Sequence, residues 1–265
     1  MRDDVQDAWA AGEPYERFMG RWSRAVADVF LGWLDAPPGQ RWGDVGCGTG
    51  ALVTSILGAA APRAVVAIDR SAGFLRAARH AIPDRRVQFA VADAALLPWA
   101  SGACAAAVSG LALNFVAQPA GAVREMARVT GPGGLVAAYV WDYQDGMQML
   151  RQFWDAAVAV DPTAAGLDEG ARFPICQPAA LREVFEAAGL TAVTVRSLTV
   201  PTPFRDFAAY WSPFLGRQGP APAYVASLQE GLREQLRSTL QTRLPTAADG
   251  SIALTARAWA VRGTA

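Results

Sequence analysis

The sequence predicts an α/β protein, a mostly parallel sheet with helices on both faces. Between Trp42 and Trp141 short apolar runs alternate with helical stretches, the pattern of βαβ units. The first strand passes straight into a glycine-rich turn, Asp44-Val45-Gly46-Cys47-Gly48-Thr49-Gly50, that opens a helix. Residues 94–123 carry no formal charge, as expected around a strand buried on both faces. Right-handed crossovers between parallel strands then place helices on both sides of the sheet.

The elements follow in order. Residues 5–34 repeat large apolar residues at helical spacing: Trp9, Tyr15, Phe18, Trp22, Val26, Phe30 and Trp33. Strands are expected at 41–45, 64–69, 87–92, 104–109 and 135–141. Helices are expected at about 50–60, 72–82 and 120–130. Ser71 is placed to cap the second of these, and Thr130-Gly131-Pro132-Gly133-Gly134 ends the third. Beyond Trp141 the regularity drops. Residues 147–160 and 178–188 read as helices, 190–200 as a strand, 203–216 and 221–243 as helices, and 251–262 alternates like a strand.

Composition excludes several classes of function. The chain of 265 residues is long enough to bury a core without staples. It has no lysine, so Schiff-base chemistry, a lysine general base and a P-loop lysine are out. One His supplies no His-rich metal site, and Cys47, Cys104 and Cys176 are too far apart for a metal knuckle or a CxxC pair. No metal is expected. The 24 Arg balance 24 acidic residues, which argues against a broad nucleic-acid surface. Pro98, Ser101-Gly102, Asn114 and Gln118-Pro119 interrupt the uncharged run, so no membrane span is expected. Met1-Arg2-Asp3-Asp4 begins no apolar leader, and a cytoplasmic location is the expectation.

The glycine turn carries the most information. Glycines there permit positive φ and close approach of a ligand to the backbone, and a helix N-terminus offers free N–H groups. Alone, the turn also satisfies a loose dinucleotide fingerprint, Gly46-x-Gly48-x-x-Ala51. Asp44 changes the balance, because a carboxylate at the strand tip repels a pyrophosphate and attracts an ammonium. Asp69 ends the second strand, where an acid can accept from both hydroxyls of a ribose. Asp93-Ala94 follow the third strand, within reach of an adenine amino group. Acids at three successive strand ends suit a ligand with an ammonium, a ribose and an adenine, which is S-adenosylmethionine.

With these residues the sequence resembles the class I S-adenosylmethionine-dependent methyltransferases, particularly the type 11 group related to the ubiquinone and menaquinone C-methyltransferases. The likeness rests on DVGCGTG at 44–50, AIDRS at 67–71, ADAALLPW at 92–99, RVTGPGG at 128–134 and YERFMGRWS at 15–23. It implies a Rossmann-like seven-stranded sheet whose last strand, 251–262, is antiparallel. It further implies one domain over 1–265: an N-terminal helical cap at 1–40, a cofactor-binding core at 41–141, and helical lid segments at 142–180 and 201–250. The reaction implied is SN2 transfer of a methyl group to a small, mainly apolar metabolite, releasing S-adenosylhomocysteine. By the same resemblance Asp44, Gly46 and Gly48 frame the methionine part, with Cys47 packed beside it. Asp69 holds the ribose, Arg70 flanks the adenine, Asp93 and Ala94 meet its edge, and Ser109 lines the site after strand four. Tyr15 and Arg21 are candidates for the carboxylate end. No catalytic residue is assigned.

Three positions depart from the family pattern. Gly43 replaces a bulky apolar residue, Cys104-Ala105 stand where a Phe-Asp pair is common, and Asn114 stands where some relatives carry a His. The last leaves no obvious general base.

Plainer readings stand beside several of these. Tyr15 fits a helix core as well as a ligand contact, and Arg21 fits a surface ion pair. His80 and the cluster Arg76, Arg79, Arg85, Arg86 read as a solvated face. Two aromatic-rich regions, Trp141 to Trp154 and Phe204 to Phe214, read either as helix packing or as an apolar acceptor site under a lid. Asp142 and Asp145 are loop acids or a base. An NAD(P)-dependent oxidoreductase would share the glycine turn and Asp69, but not Asp44 or Asp93-Ala94. A non-catalytic partner protein would keep the cofactor acids and lack an acceptor site. The acceptor atom and the oligomeric state stay open.

Overall fold

The computed structural model describes residues 20–216 and 219–265, apart from the side chain of Arg21. Tyr15 and the helical reading of residues 5–19 lie outside the described residues. The chain divides into two compact units. One comprises Ser23–Val140, Ile175–Leu198 and Ala258–Ala265, and the other includes Trp141–Pro174 and Thr199–Arg257.

The strands are β1 (Arg41–Val45), β2 (Ala64–Asp69), β3 (Val87–Val91), β4 (Ala106–Gly110), β5 (Leu135–Trp141), β6 (Thr191–Phe204) and β7 (Ile252–Thr264). They form one seven-stranded sheet in the order β3-β2-β1-β4-β5-β7-β6. β1 to β5 are parallel, with Asp44 opposite Ala67 on β2 and Val108 on β4. β7 runs against β5. Ala265 N–H donates to the Gly134 carbonyl at one end, and Asp142 N–H donates to the Arg257 carbonyl at the other.

In the first unit the helices are α1 (Arg21–Leu34), α2 (Ala51–Ala59), α3 (Ala72–Ala81), α4 (Pro119–Thr130) and α7 (Pro178–Ala187). α3 starts as the sequence predicts, with Ser71 Oγ accepting from Phe74 N–H at 3.2 Å. Pro119 occupies the first turn of α4 and Gly131, at φ 73°, ends it. Val26, Phe30, Val53, Ile56, Val65, Leu75, Met126 and Val136 are fully buried and form this unit's core. Ser55 Oγ on α2 donates to Asp28 on α1 at 2.6 Å. Arg262 of β7 donates to the Trp33 and Leu34 carbonyls, a cation at the C-terminus of α1.

The second unit holds α5 (Gln148–Val160), α6 (Glu169–Arg172), α8 (Phe207–Trp211), α9 (Pro220–Ser227) and α10 (Glu230–Arg243). Two expectations are corrected here. Residues 203–204 are extended rather than helical, because Pro201 and Pro203 hold the end of β6 and the helix waits for the Asp206 cap, which accepts from Ala209 N–H at 2.7 Å. The single helix expected at 221–243 is two, separated by extended backbone at Leu228 and Gln229. A smaller shift concerns β4, which begins at Ala106 rather than 104, since Cys104 N–H bonds the Val129 carbonyl instead of the ladder. No helix among the described residues is long and apolar enough to cross a membrane.

Candidate functional site

The tip of β1 carries the central residue. Asp44 is fully buried, and neither carboxylate oxygen has a hydrogen-bond partner among the described residues. Burial, with the nearby charge of Asp69 adding to it, lifts its pKa from 3.8 to about 8. A buried carboxyl without a partner is costly for a fold, so the group fits a ligand that brings a cation. The chain then turns sharply. Gly46 and Cys47 N–H both donate to the Ile68 carbonyl at 2.9 and 2.8 Å, and Gly46, Gly48 and Gly50 all have positive φ. At Gly46 the glycine is required twice, since a Cβ there would lie 2.5 Å from the Cβ of Ala112. At Gly48 a Cβ would meet nothing within 4 Å, so the turn presents open backbone. α2 begins directly after Gly50 with no side-chain cap. Its first N–H groups are therefore available to a ligand.

Asp69, at the tip of β2, ties the loops together. One carboxylate oxygen accepts from Gly48 N–H at 2.9 Å and the other from Ser71 N–H at 2.7 Å. A carboxylate has about four acceptor sites, so two remain for the hydroxyls of a sugar. Beyond the ligand contact read from the sequence, the structure gives Asp69 a task as a staple of the glycine turn.

At the end of β3, Asp93 is exposed and accepts from Ala95 N–H at 2.9 Å, a local turn, while Ala94 is buried. Arg70 is exposed, with its Nε 3.9 Å from Asp93. These three therefore gather on one rim beside Asp69. The loop that follows is anchored by a pair the sequence reading missed. Glu125 and Arg128 of α4 bond each other twice, at 2.7 and 2.8 Å. Glu125 also accepts from Leu97 N–H, while Arg128 donates to the Leu97 and Trp99 carbonyls. The i, i+3 spacing of the pair was legible in REMAR, but its target loop was not.

That anchor explains one of the departures from the family pattern. A Cβ on Gly43 would fall 2.7 Å from Cζ3 of Trp99 and 3.3 Å from Sγ of Cys104. The Trp99 indole occupies the volume that a side chain at 43 would fill.

Ser109 is buried near the end of β4, opposite Ala138. The turn beyond it contains Leu111 at φ 57° and Asn114, which is 8% exposed with Nδ2 unpaired among the described residues. Asp44, the glycine turn, Asp69, Asp93, Ala94 and Ser109 thus lie at the carboxyl ends of neighbouring strands, where open α/β sheets bind ligands.

Other candidates resolve more plainly. Cys47 is buried, and burial followed by the charges of Asp44 and Asp69 pushes its thiol well above 9, so it is no thiolate nucleophile. His80 is exposed in the last turn of α3. Arg79 donates to the Phe89 carbonyl and Arg86 pairs with Asp84. In the second unit Asp142 is buried and held by Arg257 at 2.6 and 2.7 Å, which removes it as a free base. The two aromatic regions are that unit's own core. Phe153 stacks on Phe214 at 4.4 Å and meets Trp154 edge-on at 5.0 Å, and Tyr210 O–H donates to the Met149 carbonyl. Sequence reasoning also missed Glu169, which burial lifts to about 7 and which accepts from the Trp154 indole N–H.

Comparison with known proteins agrees with the fold. The family model described as a methyltransferase domain matches residues 43–138. A demethylmenaquinone methyltransferase of Renibacterium salmoninarum is 40% identical over 114 residues, 43% of this chain and 45% of that protein. Another, of a Roseiflexus species, is 33% identical over 179 residues, 62% of this chain and 73% of that protein. The chain spans about half the length of the first curated relatives it matches. Among solved structures, a phosphoethanolamine N-methyltransferase of Haemonchus contortus in complex with S-adenosyl-L-methionine has a TM-score of 0.57 at 15% identity, covering 95% of this chain and 56% of that one. At that identity the likeness is one of fold.

Proposed function

The chain belongs to the class I S-adenosylmethionine-dependent methyltransferases, in the group related to the ubiquinone and menaquinone enzymes, and from that membership we propose that it methylates a small, mainly apolar acceptor of the quinol class. The observation that carries the reading is Asp44: a fully buried carboxyl with no partner beside an open glycine turn. Held by Asp44, the glycine turn and Asp69, S-adenosylmethionine would supply an electrophilic methyl group on a sulfonium sulfur.

The chain's part is to bind, orient and exclude water. In this reading Asp44 balances the ammonium, and the N–H groups after Gly46 and Gly48 approach the methionine part, with Cys47 packed beside it. Asp69 offers its remaining lone pairs to the ribose. Arg70, Asp93 and Ala94 border the adenine, and Ser109 lines the β4 side. Tyr15 and Arg21 serve the carboxylate end. The sulfonium is intrinsically reactive, so alignment contributes most, on the order of 7–11 kcal/mol. No residue is assigned as a general base. The zero formal charge supports a small-molecule substrate over nucleic acid, and we place the reaction in the cytoplasm.

The test is thermal denaturation with S-adenosylmethionine, S-adenosylhomocysteine and NADPH, each in large excess. A ligand at a hundred times its Kd adds about 2.7 kcal/mol of stability. For a chain this size that is roughly 5–10 °C in Tm. Stabilisation by the adenosyl ligands alone is expected. Stabilisation by NADPH alone would hand the site to an oxidoreductase.

A further inference from the structure

We propose that Asn114 is a ligand-binding donor whose Nδ2 gives a hydrogen bond to a carboxylate or carbonyl oxygen of a molecule held at the exits of β1 and β4. The inference rests on the cofactor reading above and extends it to a residue without an assigned role.

Its position comes first. β1 and β4 are paired in parallel, with Asp44 opposite Val108, so both strands end on the same edge of the sheet. The turn that leaves β4 lies on the glycine turn that leaves β1. Ala112 is the residue that a Cβ on Gly46 would strike. Asn114 follows two residues later, in a single 3₁₀ turn, Leu113–Phe115.

Its energetics come second. Asn114 is more than nine-tenths buried and its amide nitrogen bonds nothing among the described residues. The adjoining Leu113 is fully buried while Phe115 on the other side is exposed, so the amide lies just inside the surface. An apolar side chain of similar shape would remove an unsatisfied donor and leave the turn intact. The turn also holds Leu111 in the left-handed region, where leucine is disfavoured, secured by its N–H to the Tyr139 carbonyl at 2.8 Å. The backbone is thus kept in an unfavourable conformation that leads directly into Asn114.

Its chemistry comes third. Two buried polar groups without described partners stand on this one edge, an acid at Asp44 and an N–H donor at Asn114. The acid calls for a cation; the donor calls for an oxygen lone pair. That oxygen belongs either to the α-carboxylate of the adenosyl ligand or to the methyl acceptor, and the two are separable.

The experiment uses the full chain and its Asn114→Leu and Asn114→Asp variants. Calorimetry measures S-adenosylhomocysteine and 5′-methylthioadenosine, which lacks the amino-acid end. Turnover is followed with a 2-unsubstituted 1,4-naphthoquinol. Asn114→Leu should keep or raise Tm. If the oxygen is the cofactor's carboxylate, S-adenosylhomocysteine binds about 10- to 100-fold more weakly and 5′-methylthioadenosine is unchanged. If it is the acceptor's oxygen, both adenosyl ligands bind as before and kcat/KM for the naphthoquinol falls by a similar factor. Asn114→Asp, equal in shape but without the donor, should be at least as impaired. A fall in Tm with every ligand and turnover unchanged would make Asn114 a structural amide and overturn the proposal. So would wild-type S-adenosylhomocysteine affinity together with wild-type naphthoquinol turnover in the Asp variant. If the naphthoquinol is no substrate, calorimetry of its binding to the S-adenosylhomocysteine complex replaces turnover, and unchanged affinity of the Leu variant for both ligands overturns the proposal. Wild-type protein that binds neither adenosyl ligand ends the cofactor reading itself, before any variant is compared.

Discussion

Asp44 should make cofactor binding release a proton. In the free protein its pKa stands near 8 rather than 3.8, because the carboxyl is buried and Asp69 lies nearby. At pH 7 the group is therefore mostly protonated, and an incoming ammonium requires it to ionise. The cost at pH 7 is about 1.4 kcal/mol, and at pH 6 about 2.7 kcal/mol. S-adenosylhomocysteine affinity should thus rise roughly tenfold per pH unit from 6 and level off near 8. Titration calorimetry at pH 6, 7 and 8, in buffers of different ionisation enthalpy, reads both the slope and the proton released. Asn at position 44 removes the charge and the titration together. At pH 8 Asp44→Asn should bind about 10- to 100-fold more weakly than wild type, through loss of a charge-assisted hydrogen bond. At pH 6 the two proteins should converge. Stability of the ligand-free protein moves the other way. Between about pH 4 and 8 the fold holds a proton that the unfolded chain has lost, so stability falls as pH rises, by up to about 1.4 kcal/mol per unit. Asp44→Asn should abolish that decline. A wild-type affinity independent of pH, with no proton released, would refute the reasoning.

Two further outcomes are expected. Asp69→Ala removes the acceptor for Gly48 and Ser71 N–H as well as the ribose contact, so S-adenosylhomocysteine affinity should fall at least about 10-fold in calorimetry while circular dichroism shows a folded protein; unchanged affinity would end the ribose assignment. Gly43→Ala should destabilise by about 1–3 kcal/mol in urea denaturation through its clash with Trp99, and combining it with Trp99→Leu should cost less than the sum of the single changes; strict additivity would show that the indole does not fill that space.

Much of this protein was legible along the chain. Local residue types and spacings determine the parallel strands β1 to β5, the Ser71 cap and the Gly131 stop, because these features answer to neighbouring residues. The glycine turn and the acids at 44, 69 and 93 were legible for the same reason: parallel strands bring their carboxyl ends to one edge, so residues far apart in sequence share a predictable place. The break at Leu228 and Gln229 was not legible, since helical periodicity resumes on both sides of it.

Tertiary structure decided what depends on contacts between distant segments. Asp142, a free loop acid in the sequence, is bound by Arg257 because β7 returns beside β5. Gly43, which looks like lost core volume, makes room for an indole delivered by a loop that Glu125 and Arg128 fix. Asp69 proved to be a staple as well as a ligand candidate, and Asn114 acquired meaning only through its missing partner. Sequence assigns a residue its chemistry and its element. Whether a polar group ends up paired, stranded or crowded is settled by the segments that fold against it, and burial then sets what that pairing is worth.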